Sequence, residues 1–268
     1  MRRSIISKHK RYVTIISVVL FSILVAQQLG LVYAGPLQVQ RRPTKGLFID
    51  VGVLGRTNIP SLSDLTLAGF ALVGTQVNTN FGPADWSKIA AWVQSAHKVG
   101  LRTFIMIGVP MVTDLSMAAA WTRQAASIGT DVVELDELIS TFNPNQTAIG
   151  SIIGAGLAVN PNLQFIITEY DPQYMQAAYS LTSQYPCARV ADDSYGHKER
   201  IDSNIQLGLN YGKRAYTWLV FAGVTTNYDC YLHLDDWIVY VKQRNTDVLF
   251  YYINTGPWQV QWPKVQSF

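Results

Sequence analysis

The segment DVVELDELIS, Asp131 to Ser140, sets Glu134, Asp136 and Glu137 among Val132, Val133 and Leu135, residues that belong in a buried strand. Carboxylates are costly to bury unless they are hydrogen-bonded, paired or used. Only 15% of this chain is charged, yet with Asp131 four of its 18 acids fall in these ten positions. Side chains alternate along a strand, so Glu134 and Asp136 share a face, with Glu134 about 6–7 Å deeper. A second apolar run, LQFIITEYD, ends in Glu169 and Asp171. Neighbouring strands lie about 4.8 Å apart, which would bring the Asp136 and Glu169 carboxyls together. Two carboxyls about 5–5.5 Å apart suit retaining hydrolysis of a glycosidic bond. One is the nucleophile; the other is kept protonated and serves as acid, then base. On this reading Asp136 is the nucleophile and Glu169 the acid/base.

Other polar residues end further apolar runs and are candidates to hold sugar hydroxyls: Asp50, Asn78, Glu134, Asp192, Asp193 and Asn254. Alternation leaves open which of Asp192 and Asp193 faces inward. Tyr195, Trp218, Tyr252 and Trp258 are candidates to stack on sugar rings, because apolar sugar faces pack on aromatic planes. Asp171 precedes Pro172 and also reads as a helix N-cap. Trp86, Trp92 and Trp237 lie on helix faces and read as core. His97, His197 and His233 lack metal-ligand spacing. No metal and no cofactor is expected: no His-x-His sits on the first strand, no lysine ends a strand for Schiff-base chemistry, and no Gly-x-Ser-x-Gly elbow occurs.

These residues need a scaffold that brings strand ends together. Eight apolar runs, 46–54, 70–78, 102–110, 131–139, 163–171, 188–195, 214–223 and 248–256, alternate with helical segments. ADWSKIAAWVQSAHKVG puts Trp86, Ile89, Trp92, Val93 and Ala96 on one helical face. Gly100, Gly129 and Gly212 stand where helices should end. Asn143-Pro144 and Asp171-Pro172 stand where helices should begin. The pattern predicts an α/β fold, a single (β/α)8 barrel over 45–268, whose chemistry gathers at the C-terminal ends of the strands. An open doubly wound sheet is the alternative; no Gly-x-Gly-x-x-Gly follows the first strand, so its dinucleotide-binding form has no support.

With VELDE (Val133–Glu137) ending the fourth strand and TEYD (Thr168–Asp171) the fifth, the chain resembles barrel glycoside hydrolases with a strand-4 aspartate, including the endo-galactosaminidase-like group. The resemblance implies a nucleophile at Asp136 and an acid/base at Glu169. The chain departs from the large group with glutamates on strands 4 and 7, since no glutamate ends its seventh strand.

The remaining composition sets boundaries. Arg2, Arg3, Lys8, Lys10 and Arg11 precede an apolar run from Tyr12 to about Tyr33, ending Val32-Tyr33-Ala34. Residues 1–34 read as a signal peptide or an uncleaved signal anchor, with 35–44 a short tail. Either way the expected location is secreted or extracellular, with membrane attachment only if the segment is retained. The first 34 residues hold five of the 21 basic side chains and no acid, so the net charge of +3 becomes −2 without them. No basic run marks a nucleic-acid surface. The expected partner is a poly- or oligosaccharide; the oligomeric state is open. Cys187 and Cys230 fall near opposite ends of the expected fold, which argues against a bridge. Two non-hydrolytic alternatives stand beside the hydrolase: a carbohydrate-binding barrel and a structural envelope protein.

Overall fold

The computed structural model describes residues 43–49, 60–77, 85–108, 111–193, 197–222, 232–252 and 258–268, with 221–222, 252 and 258–260 described by backbone alone. Eight parallel strands close into a barrel in sequence order, β8 returning to β1. They are β1 (Lys45–Ile49), β2 (Leu72–Gln76), β3 (Arg102–Gly108), β4 (Val132–Asp136), β5 (Gln164–Glu169), β6 (Ala188–Asp192), β7 (Tyr216–Ala222) and β8 (Asp247–Tyr252). The helices are α1 (Leu62–Leu67), α2 (Trp86–Lys98), α3 (Leu115–Ser127), α4 (Leu138–Phe142), α5 (Gln146–Leu157), α6 (Pro172–Leu181), α7 (Lys198–Asn210), α8 (Leu234–Arg244) and α9 (Trp258–Gln266). The chain is thus a (β/α)8 barrel, as its strand count and spacing predicted.

Strands of such a barrel are buried on both faces, which is why they read as unbroken apolar runs. Phe48, Leu72, Phe104, Met106, Val132, Ile166, Trp218 and Leu249 fill the interior. The alternate positions, among them Ile105, Val133, Leu135, Phe165 and Ile167, pack under the helices. Interior filling is close: a Cβ at Gly74 would fall 2.2 Å from the Phe104 ring.

Local chemistry sets the helix ends. Gly100, Gly129 and Gly212 adopt positive φ after α2, α3 and α7, the left-handed turn that glycine makes without penalty. Asp171 caps α6, with Pro172 in its first turn. Two expectations are corrected. The fourth strand stops at Asp136, because Glu137 turns left-handed and Leu138–Phe142 become α4. The N-cap of α5 is Asn145, whose side chain accepts from Ala148 N, while Asn143 is the left-handed cap that ends α4.

One seam differs from the rest. Among the described residues β6 and β7 pair through Ala191–Tyr216 and Asp192–Thr217, whereas β3 and β4 pair through five positions. Asn204 of α7 reaches across: its Nδ2 donates to Val190 O (3.3 Å) and Tyr216 O (2.9 Å), and its Oδ1 accepts from Tyr179 OH. A buried side-chain amide thereby ties the two strands together from outside.

Candidate active site

β4 delivers Glu134 and Asp136 to the interior face, in phase with Val132. Register sets Asp136 opposite Gly108 on β3 and Thr168 on β5. A Cβ at Gly108 would lie 2.8 Å from both Cβ and Oδ2 of Asp136. The glycine is what gives the carboxyl its space.

Glu134 lies one layer below and is fully buried. Its Oε1 accepts from Thr168 Oγ1 and from Trp218 Nε1 at 3.0 Å. Its Oε2 is buried with no hydrogen-bond partner among the described residues. Burial pushes Glu134 up to about 8, with the Asp193 charge adding to it and the bonds from Thr168 and Trp218 opposing it. Trp218 is therefore part of the barrel floor, its ring edge-on to Phe48, Phe104 and Tyr251 at 5.7–6.2 Å. It is 1% exposed, so the expected stacking face is occupied by the protein itself.

Asp136 keeps part of its surface open at the strand end. Its carboxyl is held well above the ordinary range, first by burial, then by the charge of Asp193, then by Glu134, Glu137 and Glu169. Of the two aspartates that sequence could not orient, Asp192 falls in the outward phase of Ala188 and Val190 and accepts from Thr217 Oγ1 at 3.0 Å. Asp193, the next residue, falls in the phase of interior Ala191 and is the strongest charged influence on Asp136.

Glu169 corrects the expected geometry. It follows Phe165 and Ile167 onto the outer face, so it does not face Asp136 across the β4–β5 ladder; Thr168 does. Its Oε1 accepts from Ile139 N (2.7 Å) and Ser140 N (3.3 Å) at the start of α4. Glu137 is the residue before that helix, but it sits at φ 53°, ψ 23° and makes no capping bond. The Glu169 carboxylate supplies the acceptor from the neighbouring strand. Burial pushes it up to about 7, against the bonds from Ser140 and Ile139.

The mouth thus joins Glu134, Asp136 and Asp193, with Glu169 and Asp192 behind the wall. Asp50, Asn78, Tyr195 and Asn254 lie outside the described residues, as does Cys230, and no side-chain position is described for Tyr252 or Trp258. Sequence reasoning missed Gly108 and Thr168. Thr168 opens the TEYD motif and could have been found by giving β5 the phase in which Ile166 points inward. It also missed Tyr170, an exposed aromatic just past β5, edge-on to Tyr174 at 5.9 Å. Among the described residues, no three His, Cys, Asp or Glu side chains are arranged to hold a metal ion. What the cluster offers is proton chemistry: adjacent carboxyls that cannot all ionise together.

Comparison with known proteins supports the architecture. The chain is similar in structure to a fungal β-1,4-galactanase (TM-score 0.56, 13% identity, covering 79% of this chain and 89% of that one). It is similar to Thermotoga maritima Cel5A, solved with cellobiose (TM-score 0.54, 10% identity, 79% and 91%). It is also similar to the aldolase QR15 (TM-score 0.51, 8% identity, 80% and 91%). Glycoside hydrolases and carbon–carbon bond enzymes thus share this fold, and identities this low speak to the fold alone. No protein-family model and no curated protein sequence matches the chain.

Proposed function

We propose that the barrel mouth hydrolyses a glycosidic bond in a poly- or oligosaccharide, with Asp136 as one of two reacting carboxyls. The observation that carries this reading is the placement of Asp136 on the interior face at the C-terminal end of β4, with Asp193 in the interior phase just past β6 and its charge raising the Asp136 carboxyl. Coupled carboxyls divide into a protonated and an ionised member, the division that acid-assisted attack on an acetal requires. The side-chain directions favour Asp193 over Glu169 as the partner of Asp136. The ionised member attacks the anomeric carbon or activates a water; the protonated member gives its proton to the leaving oxygen. Glu134 keeps a proton beneath them and limits the negative charge they face. The reading includes export, on the strength of the basic-then-apolar N-terminus.

The second reading is a barrel that binds saccharide without cleaving it. It draws on the bonds that Glu134, Glu169 and Asp192 already make to Trp218, to the α4 amides and to Thr217. The deciding experiment incubates the full chain with a panel of plant, fungal and bacterial polysaccharides and measures new reducing ends. Turnover by the native chain and none by Asp136→Asn, with binding retained in affinity electrophoresis, supports the hydrolase. Binding without new reducing ends from either protein supports the second reading.

A further inference from the structure

Parallel strands bring every helix-to-strand return to the end of the barrel opposite the mouth. Four large apolar side chains are exposed on three of these returns. Leu67, 87% exposed, closes α1 before β2; Val159 follows α5 before β5; Leu209 and Tyr211 end α7 before β7. The returns to β2, β5 and β7 are spread around the ring, so the apolar tips mark out a plane rather than one spot. Single exposed apolar residues are ordinary. Here they come with a bias in charge. Lys98 ends α2, Arg102 opens β3 and Lys242 lies in the last turn of α8, all at the same end. Of the acids that open β4 and β8, Asp247 is met by Arg214 at 3.3 Å, and Asp131 is hydrogen-bonded to His97 at 2.9 Å. The acids at helix starts, Asp64, Asp85, Asp114 and Asp171, stand at the mouth end.

A third observation comes from chain connectivity. β1 begins at this basic end, at Lys45. The apolar run of 12–33 joins it through Ala34–Thr44, eleven residues, whose fully extended reach is at most about 40 Å. We propose that the end of the barrel opposite the mouth rests on a bilayer surface bearing anionic headgroups. The exposed apolar tips enter the headgroup layer, Lys98, Arg102 and Lys242 meet its charge, and the mouth points away toward polymer. Apolar tips with flanking bases are the combination that interfacial binding uses. This orientation does not depend on what the mouth does.

The test is hydrogen exchange by mass spectrometry on the full chain, reconstituted in phosphatidylglycerol vesicles and separately in phosphatidylcholine vesicles. Each basic side chain near an anionic surface changes binding by about fivefold. Amides of residues 67–71, 157–163 and 207–213 should therefore exchange at least about fivefold more slowly in phosphatidylglycerol, with helix starts at the mouth unchanged. The variant Leu67→Ser/Leu209→Ser/Lys98→Glu should lose that difference while its β3–β5 core amides exchange as in the native chain, which shows that it folds. Equal exchange in the two lipids, or slowing confined to the mouth, overturns the proposal.

Discussion

Gly108 and Asp136 stand opposite each other across the β3–β4 ladder, and the missing Cβ of the first is the space of the second. Gly108→Ala should therefore move the carboxyl rather than merely crowd the core. The expected result is a loss of stability of about 1–3 kcal/mol with a fall in turnover of about a hundredfold. Urea denaturation and initial rates of reducing-end release check both. A variant with full activity would detach Asp136 from the chemistry.

Asp193→Asn tests the partner. If Asp193 completes the pair, its amide should lower turnover by about 10²–10⁴-fold, the range expected for loss of one acid or base. It should also return the acidic limb of the pH–rate profile toward the ordinary carboxylate range, because the charge that most raises Asp136 is gone. An unchanged profile would assign the partnership elsewhere.

Glu169→Gln distinguishes an acid/base from a cap. The glutamine oxygen can still accept from Ile139 N and Ser140 N, so the structural role should survive with turnover near native. Glu169→Ala should strand those amides and cost about 1–3 kcal/mol, read as a lower urea midpoint. A glutamine variant that folds normally but is inactive would restore Glu169 to the reacting pair.

Glu134 makes stability depend on pH. Its folded value of about 8 stands above the ordinary 4.5, so the folded state holds a proton that the unfolded state gives up. Its contribution is whole below about pH 4.5 and falls away as pH rises to about 8. Comparing Glu134→Gln with the native chain by thermal unfolding at pH 5 and pH 8 isolates it. The native chain should lose more stability than the variant between the two, by a few kcal/mol in order of magnitude. Parallel losses would refute a buried, protonated Glu134.

How much was legible in advance divides along β4 and β5. The barrel was legible because eight apolar runs, helix-ending glycines and the Asp171-Pro172 start are all local signals. On β4 the phase was legible too, since Glu134 and Asp136 interrupt an otherwise apolar strand and mark its inner face. β5 carries no such mark. Phe165, Ile166 and Ile167 are all buried, two outward and one inward, so hydrophobicity does not say which way Glu169 turns. The left-handed Glu137 was equally hidden. Its conformation is imposed by the change of direction into α4, and its residue type does not announce it.

The short β6–β7 seam has a mechanical consequence. A hoop of eight staves spreads deformation evenly unless one joint is weaker than the others. Among the described residues that joint is two residue pairs long, and it is fastened from outside by Asn204. Asp193 is the next residue along the stave, so one of the mouth's acids is mounted beside the joint that α7 fastens.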